Sequence, residues 1–119
     1  MRNSQKKFYK KLLGRIGERK AERYLKRQGY ALLERNYMVK VGEADLIMKD
    51  GETVVFVEVK TRSSVAFGQP SEAVNGKKQQ KYRLIASEYM LKNRLIDVDL
   101  RFDVVEILKK QVNHIKNAF

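Results

Sequence analysis

Two neighbouring segments decide the fold of this chain: GEADLIM at residues 42–48 and TVVFVEVKT at residues 53–61. They are joined by KDGE at residues 49–52, and Asp-Gly is the strongest short signal for a two-residue hairpin turn. The second segment is dense in β-branched residues, which favour strands. The sequence therefore predicts an antiparallel β-hairpin across this region.

The second strand carries the tripeptide Glu58-Val59-Lys60. Because side chains alternate along a strand, Glu58 and Lys60 point to one face, about 6.6 Å apart along the chain. A second Glu-x-Lys, at Glu18 and Lys20, lies in a predicted helix, where two positions diverge by about 200°. Only the strand copy can act as a unit. The opposite strand face is predicted to be core and carries valines 55, 57 and 59.

The hairpin register brings further acids to the same face. With Asp50 and Gly51 as the turn, Glu43 lies opposite Glu58, and Asp45 is one diagonal step away, about 7–8 Å. Three carboxylates beside the single lysine of the tripeptide would repel one another when desolvated. A hard divalent cation, Mg²⁺ or Mn²⁺, would balance them, since oxygen ligands suit these ions. The alternative is a surface hairpin with cross-strand Lys–Glu pairs.

The remaining pattern predicts one α/β domain covering residues 1–119, in the order α-β-β-β-α-β, with a final β as an open possibility. Gly14 and Gly17 weaken the first helix, so that its first turns are expected to fray or to start later. The elements outside the hairpin are helices at 4–28 and 72–92, strands at 30–40, 100–108 and 112–116, and a loop at 62–71.

Charge is clustered along the chain. Of 119 residues, 26 are Lys or Arg and 14 are Asp or Glu, for a net charge of +12. Residues 1–30 hold 11 basic and 2 acidic side chains, which indicates a nucleic-acid partner or, alternatively, a solvated basic face. The chain has no Cys, no apolar run near the ~20 residues of a membrane span, and no apolar segment typical of a secretory signal. We expect a cytoplasmic protein without a membrane partner.

The hairpin resembles a known nuclease core. GEADLI at 42–47 and VFVEVKTR at 55–62 resemble the D…ExK core of the PD-(D/E)xK nucleases. The whole chain resembles the YraN family of small, uncharacterised bacterial proteins, which is similar to archaeal Holliday-junction resolvases. This resemblance implies a restriction-endonuclease-like fold of three α/β/α layers with a central mixed sheet. The other matching segments are 14–25, 67–74, 77–79, 101–105 and 114–119.

The resemblance also implies roles for individual residues. Asp45 and Glu58 match the metal-binding carboxylates, and Lys60 matches the lysine that positions or activates the attacking water. Glu18 matches an additional acid that resolvase-like members place near the metal. Glu43 fits the Gly-Glu that precedes the core Asp, with a less defined role. The implied cofactor is Mg²⁺ or Mn²⁺.

Nucleic-acid contacts are expected on the helix after the core and beside it. Lys78 and Gln79 match family positions at the start of that helix, where a phosphate contact is sensible. Arg62, Lys77 and Lys81, together with the basic first helix, are predicted to hold the phosphate backbone without reading sequence.

Two further groups allow two interpretations each. Arg101 and Asp103 match a family motif on the later strand and form either a structural ion pair or part of the site. Tyr9, Phe67 and Tyr82 belong to the core or, if exposed, stack on unpaired bases.

Together these observations predict a metal-dependent endonuclease acting on DNA, with branched DNA as one candidate substrate. A non-catalytic DNA-binding or scaffold protein that retains the fold is the first alternative, and an RNA-binding module of ribosomal type is the second. A homodimer is an open possibility for gripping a branched duplex, and protein partners stay unknown.

Overall fold

The computed structural model describes residues 3–62 and 74–119, which form two helices and five strands. The elements are α1 (Asn3–Arg27), β1 (Ala31–Val39), β2 (Gly42–Asp50), β3 (Thr53–Arg62), α2 (Gly76–Lys92), β4 (Leu100–Leu108) and β5 (Gln111–Ile115). This order and the α/β class are the predicted ones, with the final strand present. Positions 63–71 of the predicted loop, which include Phe67, lie outside the described residues.

The five strands form one mixed sheet in the spatial order β1-β2-β3-β4-β5. β3 and β4 are parallel, and the other neighbouring pairs are antiparallel. A parallel pair needs a crossover connection, and α2 lies in the connection between β3 and β4. The crossover places α2 on one face of the sheet.

The side chains of alternate β3 residues pack in two separate hydrophobic cores, one on each face of the sheet. Val55 and Val57 pack with Ala21 and Leu25 of α1, as the predicted valine face requires. Phe56 packs on the other face with α2 residues. The sheet is therefore covered on both faces, which gives three layers. The α2 residues of the second core are Tyr82, Ile85, Ala86 and Tyr89.

The hairpin turn differs from the prediction by one residue. Asp50 pairs with Thr53, so Gly51 and Glu52 are the two central turn residues. Gly51 has φ 61° at the first central position, where a positive φ favours glycine. The predicted turn at Asp50 and Gly51 is therefore wrong by one residue. The sequence does not distinguish the two placements, because a two-residue turn at either position uses Gly51.

Only the second half of α1 is buried. Its buried residues all lie between Gly17 and Leu25, and the helix is continuous from Asn3 despite its two internal glycines. Apolar residues at helical spacing in the first half, Phe8, Leu12 and Ile16, are exposed (Phe8 by 70%), so they do not join the core. Within residues 3–62 and 74–119, neither helix is long and apolar enough to cross a membrane.

The start of α2 is also a correction. The helix begins at Gly76, after Asn75, whose side chain accepts a hydrogen bond from the Lys78 backbone N–H at 2.9 Å. An Asn that accepts this bond is a strong N-cap, and the predicted start at Glu72 is four residues too early. The cap places Lys78 in the first turn of α2.

Candidate metal centre

The candidate site lies where β2 and β3 diverge. Their pairing runs from the turn as far as Leu46 and Val57. Beyond that pair, the Val59 backbone N–H donates to Asp45 Oδ2 at 2.8 Å. The acceptor from β2 is therefore a side-chain oxygen and not a backbone carbonyl. The observed register would place Asp45, and not Glu43, opposite Glu58. The predicted pairing of those two glutamates is wrong, but a partner shift of two residues preserves the faces.

The side-chain alternation of β2 breaks at Asp45. Ala44 and Ile47 both pack in the α2-side core, although residues three apart in a regular strand face opposite sides. In β1, Asn36 lies across from Asp45 in the register and has φ 48°, which is unusual in a strand. These paired irregularities let acids from β2 turn toward α1.

Three carboxylates converge at this position. Glu18 of α1 and Glu43 and Asp45 of β2 each place one oxygen so that all three atoms lie within 4.8 Å of one another. Asn36 Nδ2 donates to Glu18 Oε1 at 2.7 Å and to Glu43 Oε1 at 2.9 Å. Arg15 Nη1 lies 3.1 Å from Glu18 Oε1 and 3.4 Å from Glu43 Oε1. We call these three carboxylates the acidic cluster.

Glu58 lies beside this cluster but has different partners. Its side chain is buried, and the Tyr82 hydroxyl donates to Oε2 at 2.5 Å. Lys60 Nζ lies 3.3 Å from Oε1, and Lys78 forms a second ion pair with the same oxygen. The four predicted metal carboxylates are therefore divided: three form the acidic cluster, and Glu58 is held by two cations and a hydroxyl.

Burial and neighbouring charge shift the pKa values of these groups. Burial, reinforced by the Glu58 charge, raises the pKa of Asp45 to about 8. Burial and the nearby Lys78 charge lower the pKa of Lys60. Burial opposes charge on Lys78 as well, but its contacts with Glu58 outweigh that effect and raise its pKa. Burial also raises the pKa of Tyr82 well above its ordinary value, so its hydroxyl stays protonated as a donor.

The residues predicted to bind nucleic acid do not all point to solvent. Lys77 and Lys81 are exposed on α2. Arg62 Nε lies 3.6 Å from Glu106 Oε2 of β4, and Gln79 Nε2 donates to a backbone carbonyl just before α2 at 2.9 Å. Lys78 is engaged by Glu58, as described above. Their contact with nucleic acid stays a prediction.

Three residues near the site make contacts that were not predicted from the sequence. Tyr82 lies in the core, which is the first of its two predicted alternatives, and its hydroxyl reaches Glu58. The i,i+4 spacing from Lys78 was a usable signal, since such positions share a helix face. Arg15 stands three residues before Glu18 on α1, which is again one helix face. Asparagine is uncommon in strands, so Asn36 was a local sign of the irregularity in β1.

Arg101 and Asp103 form a buried structural network apart from the acidic cluster. The Asp103 carboxylate accepts bonds from Arg101 Nε at 2.9 Å and Nη2 at 3.0 Å, and its Oδ2 lies 2.8 Å from His114 Nε2. Burial would raise the pKa of Asp103, but these partners outweigh it and lower that pKa. The contacts favour the structural ion pair over a direct role.

The donor set of the acidic cluster fits a hard divalent ion. All three candidate ligand atoms are carboxylate oxygens. Mg²⁺ and Mn²⁺ prefer such oxygens, whereas zinc sites usually include Cys or His. The three acids come from two separate elements, α1 and β2, so the fold itself assembles them.

Fold and site together define an α/β protein with a five-stranded mixed sheet and a candidate divalent-cation centre at the divergence of two strands. The chain belongs to the Uncharacterised protein family UPF0102, which it matches over residues 17–107. A UPF0102 protein of Alkaliphilus oremlandii is 51% identical over 115 residues, covering 92% of this chain and 98% of that protein. A UPF0102 protein of Caldanaerobacter subterraneus subsp. tengcongensis is 46% identical over 121 residues, covering 96% and 99%.

One solved structure, described as "Crystal structure of SSO0001", is similar at 21% sequence identity with a TM-score of 0.45. The match covers 96% of this chain and 54% of that chain, so this protein spans about half the length of its structural neighbour.

Proposed function

We propose that this protein is a metal-dependent endonuclease that hydrolyses phosphodiester bonds in DNA, with branched or structured DNA as its substrate. The observation that carries the proposal is the acidic cluster, in which Glu18, Glu43 and Asp45 bring three oxygens within 4.8 Å beside the Glu58–Lys60 pair. The D…ExK resemblance noted above supports the same reaction class. Such an enzyme would act in the cytoplasm.

The acidic cluster and Glu58 are the residues that would hold Mg²⁺ or Mn²⁺. The chemistry that such an ion supplies is acidification of a water molecule and neutralisation of charge on the scissile phosphate. Burial and the neighbouring Glu58 charge raise the pKa of Asp45, so an added cation would stabilise its ionised form. A divalent cation is the partner that its environment favours.

Lys60 is the proposed proton-handling and positioning group. It lies on the same strand face as Glu58, with Nζ 3.3 Å from the Glu58 carboxylate. The lowered pKa of Lys60 lies closer to neutral pH than that of an ordinary lysine. The side chain therefore exchanges a proton with water more readily. In its charged form it would instead orient the scissile phosphate.

The basic residues provide the grip on DNA. Residues 1–30 carry most of the excess positive charge, and α1 contributes Glu18 directly to the acidic cluster. Lys77 and Lys81 are exposed on α2, whose first turn also borders Glu58. Backbone contacts of this kind give affinity without sequence readout, so binding should fall steeply with salt.

Cleavage of labelled DNA tests the proposal. The substrates are a four-way junction, a flap, a nicked duplex and a single strand, each with Mg²⁺, Mn²⁺ or EDTA. We expect metal-dependent cleavage by the wild-type protein and a loss of at least about 100-fold in Asp45→Asn. Asp97→Asn changes an exposed Asp far along the chain and should cleave normally.

Binding of the same DNA substrates and of a structured RNA, measured in Mg²⁺ and in EDTA beside the cleavage experiment, separates the two alternatives. A scaffold protein would bind DNA equally well in EDTA and as Asp45→Asn, without cleaving any substrate. A ribosomal-type module would bind structured RNA in preference to all four DNA substrates. Either result would refute the nuclease.

A further inference from the structure

We propose that Lys78 is a tethered counter-ion: it neutralises Glu58 while the centre lacks a divalent ion, and it is released to the scissile phosphate when that ion binds. This inference rests on the proposed function and adds a regulation of the same site. Lys78 pairs with Glu58 from the first turn of α2, next to the exposed Lys77.

The Lys78 side chain starts from a fixed position in the first turn of α2. Its backbone N–H donates to Asn75 Oδ1 at 2.9 Å, within the N-cap of α2. The cap holds the first turn in place, so only the flexible four-carbon side chain is free to move. Lys78 is 37% exposed as a side chain, compared with 23% for Lys60, so it has the more open route to solvent.

The Glu58 carboxylate is crowded by several partners. A buried carboxylate needs compensation, because an isolated buried charge is costly. Glu58 receives more than one partner: the Tyr82 hydroxyl bonds to Oε2, and both lysines approach Oε1. Two ammonium groups at one oxygen repel each other, and one of them becomes dispensable when another cation arrives.

The two halves of the site differ in their balance of positive and negative charge. Around Glu58, two lysines face one carboxylate. In the acidic cluster, Arg15 contacts two of the three carboxylates, Glu18 and Glu43, and within residues 3–62 and 74–119 the Asp45 carboxylate accepts its hydrogen bond from the Val59 backbone. A divalent ion in the cluster would reverse this imbalance and repel Lys78, the more exposed of the two lysines. The released ammonium would meet the DNA backbone, which carries the complementary charge.

A counter-ion of this kind predicts two opposite effects of one substitution. Lys78→Met removes a cation that competes with the metal, so Mn²⁺ should bind at least about fivefold more tightly in the absence of DNA. The same substitution removes the phosphate contact, so cleavage at saturating Mn²⁺ should fall at least about tenfold. If Lys78 had a merely structural role, Lys78→Met would weaken both Mn²⁺ binding and cleavage. If Lys78 touched only phosphate, the substitution would leave Mn²⁺ affinity unchanged.

The experiment is titration calorimetry of the full chain with Mn²⁺ alone, paired with junction cleavage. Lys78→Arg keeps the charge and should keep Mn²⁺ affinity within about twofold of wild type. Lys110→Met removes an exposed lysine in the β4–β5 turn and controls for net charge, with both readouts expected to match wild type. If Lys78→Met does not fold, Lys78→Gln replaces it with the same expected results.

The outcomes separate the two proposals. Wild-type protein that binds no Mn²⁺ would refute the proposed function and this inference together. Wild-type protein that binds Mn²⁺ and cleaves, with unchanged or weaker Mn²⁺ affinity in Lys78→Met, or in Lys78→Gln where that variant replaces it, would overturn the counter-ion alone. Tighter Mn²⁺ binding with reduced cleavage, shown by Lys78→Met and not by Lys110→Met, supports it.

Discussion

The Tyr82 hydroxyl donates a hydrogen bond of 2.5 Å to Glu58 Oε2 from a residue that is 1% exposed in the α2-side core. The same hydroxyl lies 3.4 Å from the Asp45 backbone nitrogen, which donates to it. One side chain of α2 therefore contacts both strands at the point where they diverge. The packing of α2 on the sheet fixes the position of Glu58.

Tyr82→Phe keeps the ring and removes this donor. We expect the free energy of unfolding to fall by about 1–3 kcal/mol, because Tyr82 is the residue of the described part of the chain that donates to the buried Glu58 Oε2. Mn²⁺ affinity should also change by about tenfold, since groups that orient a metal-binding carboxylate tune the metal. Urea unfolding and calorimetry measure the two effects.

Tyr9→Phe is the matched control for this substitution. Tyr9 is exposed on the first half of α1, so removing its hydroxyl should change the free energy of unfolding by less than about 0.5 kcal/mol. Equal stability losses in the two variants would show that the Tyr82 hydroxyl has no special partner.

Side-chain parity is the part of the site that the sequence predicts well. The alternation along β3 places Glu58 and Lys60 on one face and the valines on the other, and the structure confirms both. The strength of the prediction comes from the uninterrupted strand pattern, in which each side chain has only two directions available. A register error of two residues leaves this parity unchanged.

The parts that failed depend on tertiary contacts. Alternation in β2 breaks at Asp45, and nothing local in GEADLI announces the break. The turn could not be placed, because a two-residue turn at Asp50–Gly51 and one at Gly51–Glu52 use the same glycine. The capture of Glu58 by Lys78 depends on how α2 crosses the sheet, which periodicity does not specify.

Asp45→Asn should stabilise the metal-free protein, with a defined pH dependence. The pKa of Asp45 is about 8 in the folded protein against 3.8 ordinarily, so the folded state binds an extra proton between these values. Its contribution to stability is therefore lost progressively as pH rises from about 4 to 8. The variant should gain nothing near pH 4 and at least about 1 kcal/mol above pH 8.

Thermal unfolding across this pH range, with and without Mg²⁺, measures the effect. Mg²⁺ at pH 8 should raise the Tm of the wild-type protein and leave that of Asp45→Asn nearly unchanged. Asp97→Asn serves as the exposed control and should follow the wild-type curve. A variant less stable than wild type above pH 8 would contradict a net cost of burying the ionised Asp45 carboxylate beside Glu58.

The two helical glycines of α1 should respond oppositely to alanine. At Gly17 a Cβ atom would overlap Thr61 Oγ1 and lie 3.4 Å from Thr61 Cβ, whereas at Gly14 no described atom lies within 4 Å. Gly14→Ala should stabilise by about 0.5–1 kcal/mol through helix propensity. Gly17→Ala should destabilise by about 1–3 kcal/mol, because overpacking outweighs the same propensity gain.

A double-mutant cycle identifies the cause of the Gly17 effect. Thr61→Ala removes the obstructing oxygen, so Gly17→Ala made in that background should lose most of its cost. An equally large cost in both backgrounds would place the origin elsewhere than in the contact of α1 with β3.

Glu22→Gln should remove an acid-side contribution to stability. Arg35 Nε and Nη2 donate to the two oxygens of Glu22 at 2.6 and 2.8 Å, and Lys26 Nζ lies at 2.9 Å, so Arg35 first and Lys26 second lower the pKa of Glu22 to about 2. Because the folded pKa lies below the ordinary 4.5, this stability is present above about pH 4.5 and is lost as pH falls toward 2. Both cations are about half exposed, so we expect a loss on the order of 1–2 kcal/mol at pH 7.

The pH profile separates this network from a general loss of surface charge. The difference between wild type and Glu22→Gln should shrink steadily between pH 4.5 and 2 in urea unfolding, as the wild-type carboxylate takes up its proton. Glu88→Gln, an exposed acid on α2, should show a small difference that does not follow this profile. A Glu22→Gln deficit that stayed constant down to pH 2 would mean that shape, and not the charge paired with Arg35, ties α1 to β1.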